Sequence, residues 1–178
     1  NILRKFEKTI LWLSTDNLSG SENLIKEIEK KGIDKNRLFF AKFENKTEDH
    51  LARIKLANLC LDTYPYGSHT IGYDYLAAGV PFVTLKGNSF ASKVSASMLE
   101  SMNLQELITH SFVDYEKKII DLITSPEKLL ELKKKIEMNK TQSNLFNINS
   151  YKENLEKSYE IVYTNKLKGL PVSNITID

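Results

Sequence analysis

Cysteine and long apolar runs are nearly absent from this sequence, and both absences exclude classes of protein. Cys60 is the only cysteine, so an internal disulfide and a thiolate metal cluster are excluded. Its apolar neighbours indicate a buried packing thiol rather than a nucleophile. No segment approaches the roughly 20 apolar residues of a membrane span, and the first residues are too charged for a signal peptide. We therefore expect a cytoplasmic or nuclear protein without a membrane partner.

The common catalytic and nucleotide-binding motifs are missing as well. The sequence contains no Gly-x-Gly-x-x-Gly loop, no phosphate-loop lysine motif, no nucleophile elbow and no cluster with metal-ligand spacing. Lysine and arginine total 25 against 23 for aspartate and glutamate, a formal charge of +2. This near balance argues against nucleic acid as a partner. A nucleotide site in this chain has to rest on helix ends and isolated side chains.

Residues 59–85 carry the clearest local pattern, which is that of a parallel-sheet unit. Leu59–Leu61 reads as a short buried strand, and a polar loop follows it. A helix is predicted to begin near Thr70 and to end at Gly79. Phe82–Leu85 is the next apolar strand. A strand, loop, helix and strand in this order favour two parallel strands joined by a crossover helix.

Strands and helices alternate through most of the 178-residue chain. The alternation favours an α/β fold, with a mainly parallel sheet flanked by helices. Residues 1–164 are predicted to form one domain and residues 165–178 a tail. The first and last helical segments suggest that the chain is part of a larger protein. The other predicted strands are Thr9–Ser14, Arg37–Phe43 and a short one near Leu107 and Ile108. The other predicted helices are Glu22–Lys31 with Ser21 as its cap, Glu48–Ala57, a helix from Ser89 through Leu99, Phe112–Ile123, Pro126–Met138 and, after an irregular link at Asn144–Asn149, Tyr151–Tyr163.

The loop between the strand ending at Leu61 and the next helix is the best candidate for a ligand site. Ligands of open α/β sheets bind where strands end and helices begin, and free N–H groups at a helix start favour an anion. His69 and Thr70 could donate hydrogen bonds to a phosphate, or be a loop residue and an ordinary helix cap. Asp74 suits a pair of ribose hydroxyls, or is simply a favourable charge near a helix N-terminus.

His50 and Arg53 form a second candidate pair, three residues apart on one face of a predicted helix. The imidazole could stack on a base while the guanidinium holds its polar edges. Alternatively, both belong to a solvated first turn in which Arg53 pairs with Asp49. The residues alone thus predict an α/β domain with a nucleotide-diphosphate pocket.

Several of these stretches together resemble a known family, the O-linked N-acetylglucosamine transferases. They are Cys60-Leu-Asp-Thr63, Gly67-Ser-His-Thr-Ile-Gly-Tyr-Asp74, Leu76-Ala-Ala-Gly-Val-Pro-Phe-Val-Thr-Leu85 and Ala91-Ser-Lys-Val-Ser-Ala-Ser97. The resemblance is to the C-terminal catalytic lobe of these protein glycosyltransferases and runs from about Leu11 to Tyr163. It implies the two-lobed GT-B fold, in which a Rossmann-like C-terminal half holds the nucleotide. In that family the last helix typically crosses back towards the other lobe.

The resemblance also implies roles for individual residues. His50 matches the histidine beside uracil and Arg53 the arginine one turn later, while Asp74 matches the aspartate that binds ribose. His69 and Thr70 match the pair that contacts the diphosphate.

Two positions depart from the family pattern. A second family threonine falls on Ile71, which keeps only its backbone N–H as a contact. The lysine that the family has three residues before the uracil-side histidine falls on Thr47, and Lys46 beside it is the candidate for that role.

The implied reaction is inverting transfer of N-acetylglucosamine from UDP-GlcNAc to serine or threonine hydroxyls of proteins, with neither a metal nor a cofactor. The catalytic residues are expected in an N-terminal lobe upstream of residue 1, so we expect the fragment alone to be inactive. A tetratricopeptide arm and a protein acceptor are the other implied partners. The alternatives are a related O-fucosyl- or N-glucosyltransferase lobe, a non-catalytic nucleotide-sugar-binding module, and a purely structural α/β domain. The His69-Thr70 arrangement favours the N-acetylglucosamine branch.

Overall fold

Five short parallel strands form two sheets in the computed structural model, which describes residues 1–14 and 18–177. Strand β1 (Leu11–Ser14) pairs with β2 (Leu38–Ala41) in the first sheet. Strands β3 (Cys60–Leu61), β4 (Phe82–Leu85) and β5 (Ile108–Thr109) form the second sheet in that order. Every pairing is parallel, as the alternation of elements predicted.

The second sheet is organised around its middle strand. All four residues of β4 are buried, and Phe82 and Val83 are completely inaccessible. A strand with neighbours on both sides and helices on both faces needs a continuous apolar run rather than an alternating one. The Phe-Val-Thr-Leu sequence meets that need, and the hydroxyl of Thr84 is satisfied inside the protein.

Helices surround these strands. In the described residues they are α1 (Ile2–Lys5), α2 (Leu18–Lys30), α3 (Thr47–Ile54), α4 (Thr70–Ala77), α5 (Val94–Ser101), α6 (Phe112–Thr124), α7 (Pro126–Lys140) and α8 (Ile148–Leu167), with short 3-10 helices at Lys35–Arg37, Gln105–Leu107 and Asn144–Phe146. Local chemistry explains several starts. Ser111 caps α6 by accepting a hydrogen bond from the Asp114 N–H at 3.0 Å, and Pro126 occupies the first turn of α7. In the described ranges no helix is both long and apolar enough to cross a bilayer.

Two apolar clusters hold the layers together. The larger one joins the second sheet to α4, α5, α6 and α7. Its buried members are Leu76, Phe82, Val83, Met98, Leu99, Met102, Leu104, Leu107, Ile119, Leu122, Leu132 and Ile136. The smaller cluster consists of Ile54, Ala78 and Val80, with Ile71 packed against it. Because Ile54 belongs to α3 and Ile71 to α4, this cluster fixes those two helices against each other.

The structure differs from the sequence predictions mainly at helix boundaries. The prediction that Ser21 caps a helix is wrong, since α2 begins at Leu18. The prediction of a helix start at Ser89 is also wrong. The Ser89 and Ser92 hydroxyls contact each other at 2.9 Å, Lys93 N–H donates back to the Phe90 carbonyl, and α5 begins only at Val94.

The last helix is longer than predicted at both ends. The Asn147 side chain accepts a hydrogen bond from the Ser150 N–H at 3.1 Å, so α8 begins at Ile148 within the stretch predicted to be an irregular link. It continues to Leu167 and is followed by Gly169 at a positive φ of 66°. The division into a domain at residues 1–164 and a tail stays a prediction.

Gly79 gives a test of how α4 is terminated. Its φ of 77° lies in the left-handed region, and the Val80 N–H closes the helix by donating to the Tyr75 carbonyl at 2.9 Å. We expect Gly79→Ala to lower the free energy of unfolding by about 1–2 kcal/mol because a Cβ is strained in that region. Gly79→Asn should cost less, since asparagine tolerates it better. Urea denaturation measures both, and equal losses in the two variants would contradict the assignment.

Candidate functional site

The candidate site is built around a buried carboxylate directly after β3. Asp62 is 7% exposed, and its Oδ1 accepts hydrogen bonds from the Thr63 N–H at 3.0 Å, the Ser68 N–H at 2.6 Å and the Ser68 hydroxyl at 2.7 Å. Its Oδ2 accepts from the Thr84 hydroxyl on β4 at 2.6 Å. A carboxylate with this many donors ties both ends of the loop between residues 62 and 68 to the sheet.

Further contacts press this loop against α5 and the segment before it. The Ser95 hydroxyl donates to the Ser68 carbonyl at 2.8 Å, and the Gly67 N–H donates to the Ala91 carbonyl at 3.0 Å. A Cβ at Gly67 would lie 2.8 Å from Ser95 Oγ and 3.1 Å from Asp62 Oδ2. Only glycine allows the loop to approach this closely.

Tyr115 holds the backbone of the same residue from α6. Its hydroxyl donates to the Asp62 carbonyl at 2.7 Å. Burial, and secondarily the nearby Asp62 charge, raises the pKa of Tyr115 above its usual range. Tyr115 therefore stays a neutral hydrogen-bond donor at physiological pH.

Helix α4 emerges from this loop with its first turn free of a side-chain cap. His69 occupies the N-cap position, and its carbonyl accepts from the N–H groups of Gly72 at 3.0 Å and Tyr73 at 3.3 Å. Thr70 is exposed as the first helical residue, whereas the Ile71 side chain packs on the smaller apolar cluster. The first amides of a helix have no partner within it, so this turn offers N–H donors to an anion.

The His69 imidazole is bracketed by aromatic rings. It stacks on Tyr66 with a centroid distance of 4.8 Å and an interplanar angle of 16°, and meets the edge of Phe90 at 6.0 Å. Both neighbouring side chains are largely exposed. Among the described residues, His69 Nε2 is a buried side-chain nitrogen without a hydrogen-bond partner. A buried polar atom left unpaired is costly, and a bound ligand group is one way to satisfy it.

A second group of polar residues lies where α3 packs against α4. His50 Nε2 is 3.3 Å from Asp74 Oδ2, and both side chains are about a quarter exposed. Arg53 Nη2 is 3.0 Å from His50 Nδ1. The other end of the Arg53 guanidinium donates to the Lys42 carbonyl and lies 3.7 Å from Glu44 Oε1. His50, Arg53 and Asp74 are thus brought together, although they come from two helices.

Lys46 is placed differently from the other predicted residues. It is the N-cap residue of α3, and its carbonyl accepts from the His50 N–H at 3.0 Å. Its side chain is exposed and makes no capping hydrogen bond. The binding roles predicted for Lys46, His50, Arg53, His69, Thr70, Ile71 and Asp74 stay predictions.

The residues that organise the loop were not singled out from the sequence. These are Asp62, Ser68, Thr84 and Ser95, together with the aromatic pair Tyr66 and Phe90. A polar residue at the end of a buried strand is a signal that could have drawn attention to Asp62. Nothing comparable marks Ser95, because its partner is 27 residues away in the chain.

Cys60 takes no part in this polar site. Its side chain packs against both apolar clusters, and burial raises the pKa of the thiol to about 12. A thiol with so high a pKa is protonated near neutral pH and is a poor nucleophile. In the described ranges, no group of three or more His, Cys, Asp or Glu residues is placed to hold a metal ion.

Comparison with known proteins adds evidence of relationship. Residues 1–155 match the family described as Glycosyl transferase family 41. The chain is 33% identical over 175 residues to a Caenorhabditis elegans protein named UDP-N-acetylglucosamine–peptide N-acetylglucosaminyltransferase, covering 98% of this chain and 15% of that protein. It is 31% identical over 160 residues to the Arabidopsis thaliana protein named probable UDP-N-acetylglucosamine–peptide N-acetylglucosaminyltransferase SEC, covering 89% of this chain and 16% of that protein.

A solved structure agrees with these matches. A mutant O-GlcNAc transferase from Thermobaculum terrenum superimposes with a TM-score of 0.81 and 27% sequence identity, covering 89% of this chain and 31% of that chain. The expected fold class, a parallel α/β lobe of the GT-B type, is thereby confirmed. The chain spans only about 15% of the length of the curated relatives.

The Asp62 contacts can be tested by stability measurements. Asp62→Ala leaves the buried donors of Ser68 and Thr84 without an acceptor, so we expect the free energy of unfolding to fall by about 3 kcal/mol. Asp62→Asn should cost less, because its amide oxygen can still accept from Ser68 and its NH2 can donate to the Thr84 hydroxyl. Urea denaturation of the two variants measures the difference, with Asp121→Asn as a control at a half-exposed carboxylate of α6 that pairs with Lys128. Unchanged stability in Asp62→Ala would refute the role of this carboxylate.

Proposed function

Because the chain belongs to glycosyl transferase family 41, we propose that it is the donor-binding lobe of a protein glycosyltransferase. The reaction proposed is inverting transfer of N-acetylglucosamine from UDP-GlcNAc to serine or threonine hydroxyls of a protein acceptor. The observation that carries this proposal is the first turn of α4. It combines uncapped amides with a buried, unpaired His69 Nε2 at the carboxyl end of the second sheet.

The proposed site has a diphosphate end and a nucleoside end. The diphosphate binds at the first turn of α4, to the amides of Thr70 and Ile71, the Thr70 hydroxyl and His69. Asp74 lies four residues beyond Thr70, or about 6 Å along the helix axis. That displacement suits a ribose attached to the diphosphate, with its hydroxyls donating to the Asp74 carboxylate.

The base is assigned to the region next to Asp74. His50 is in contact with Asp74 and therefore adjoins any ribose held there. Its imidazole offers an aromatic face on which uracil can stack. Lys46, at the exposed start of the same helix, supplies a positive charge that can approach the nucleotide from solvent.

The chemical contribution of this lobe is stabilisation of the leaving group. When the bond between the sugar and the diphosphate breaks, negative charge develops on the departing phosphate oxygen. N–H donors already oriented at a helix N-terminus stabilise that charge without reorganising, and His69 adds a side-chain donor. This role requires no general acid or base from the described residues and needs neither a metal ion nor a cofactor.

The remaining parts of the enzyme are assigned to other partners. The curated relatives are several times longer than this chain, which supports an N-terminal lobe that carries the catalytic residues and the acceptor site. A tetratricopeptide arm is proposed as a further partner, and the chain alone is proposed to be inactive. The single cysteine suits a reducing compartment, the cytoplasm or nucleus.

Titration calorimetry with uridine diphosphate tests the assignment of the diphosphate and ribose contacts. We expect His69→Ala and Asp74→Asn each to weaken binding about tenfold, the effect of losing one hydrogen bond to a charged group. His110→Ala and Asp121→Asn change the same residue types at positions outside the proposed site and should leave the affinity unchanged. Circular dichroism checks that all four variants are folded.

The same titration also tests two of the alternatives. Unchanged uridine diphosphate affinity in both His69→Ala and Asp74→Asn would remove these two assignments. Tighter binding of GDP-fucose than of UDP-GlcNAc would favour a fucosyltransferase. A purely structural domain would bind neither nucleotide.

A further inference from the structure

The guanidinium of Arg53 is already engaged by the protein. Its side chain is 15% exposed, and its partners are the Lys42 carbonyl, Glu44 and His50. The first two partners belong to the segment between β2 and α3 and contact Nη1 of the guanidinium. Its Nη2 contacts His50. An arginine fixed in this way is suited to orienting the His50 ring rather than to forming hydrogen bonds with the edge of a base.

The contact between Arg53 and His50 determines where the imidazole carries its proton. Every nitrogen of a guanidinium is a donor and none is an acceptor. His50 Nδ1, 3.0 Å from Arg53 Nη2, must therefore accept, and a neutral ring then carries its proton on Nε2. Nε2 is the atom that lies 3.3 Å from Asp74 Oδ2, so the ring directs an N–H towards that carboxylate.

The orientation of His50 on α3 thereby affects the orientation of Asp74 on α4. With Nε2–H facing it, Asp74 keeps Oδ2 turned towards His50, and the rotation of the carboxyl group is restricted. If the tautomer were reversed, the lone pair of Nε2 would face a carboxylate oxygen and repel it. The Asp74 rotamer therefore depends on a hydrogen bond made by Arg53, which does not touch Asp74.

We propose that Arg53 is a positioning residue that fixes the tautomer of His50 and, through it, the orientation of Asp74. His50, assigned to the base, and Asp74, assigned to the ribose, then depend on each other for their orientation instead of acting as two independent contacts. This inference rests on the proposed function for its consequence in nucleotide binding. Its structural part, the tautomer, stands without any ligand.

The first experiment measures that tautomer in the ligand-free chain. Long-range ¹H–¹⁵N correlation spectra of the histidine rings should show an unprotonated Nδ1 and a protonated Nε2 at His50. Arg53→Met should move the His50 Nδ1 resonance, because the nitrogen loses its donor. The matched change Arg4→Met, at an exposed arginine of α1, should leave it in place. A proton on Nδ1 in the wild type, or an unmoved Nδ1 resonance in Arg53→Met, would overturn the proposal.

The second experiment is a double-mutant cycle read out by uridine diphosphate affinity. We expect Arg53→Met to weaken binding about tenfold in the wild-type background, and less than about threefold when Asp74→Asn is already present. Multiplicative losses would mean that Arg53 acts independently of Asp74, and would overturn the proposal. Should Arg53→Met fail to fold, Arg53→Gln enters the cycle in its place.

The two experiments fail for different reasons. A wild-type chain that binds no uridine diphosphate contradicts the proposed function, and the tautomer measurement still decides the role of Arg53. A chain that binds uridine diphosphate but carries the His50 proton on Nδ1 contradicts the positioning role alone.

Discussion

The candidate site depends on one buried carboxylate, Asp62, which joins two neighbouring strands to the loop that leads into α4. Burying a charge is expensive unless donors surround it, and here backbone and hydroxyl donors of Thr63, Ser68 and Thr84 do so. The carboxylate in turn determines where residue 68 ends the loop and therefore where α4 can begin. The start of α4 is exposed and has no side-chain cap, and the buried hydrogen bonds of the preceding loop hold it in place.

Apolar packing performs the corresponding task for the nucleoside end. Ile54 of α3 and Ile71 of α4 meet in the smaller cluster, which fixes the two helices against each other. That packing brings His50 to Asp74 across 24 positions of the chain. A rigid relation between the helices matters because the two ends of a nucleotide are joined covalently, so their contacts must be correctly spaced before binding. Apolar packing determines the distance between the two helices, and the polar contacts among Arg53, His50 and Asp74 then orient these side chains.

Prediction from sequence succeeded where the physical signal is local. The continuous apolar run Phe82–Leu85 predicted strand β4, and Gly79 marked the end of α4. It failed at Ser89, because a serine followed by an apolar pattern looks like a helix cap, whereas here its hydroxyl contacts Ser92 in a turn. The candidate ligand residues were named from the helix start and the family resemblance. Their contacts with each other depend on tertiary packing, which no local pattern reveals.

The central claim is that the first turn of α4 binds the diphosphate of the donor. Backbone amide ¹H–¹⁵N spectra recorded during titration test it most directly, with uridine diphosphate and uridine as paired ligands. We predict that uridine diphosphate moves the Thr70 and Ile71 resonances, while uridine moves those around His50 and leaves Thr70 and Ile71 nearly unchanged. Saturation with uridine diphosphate that leaves both amides at their ligand-free positions would contradict it.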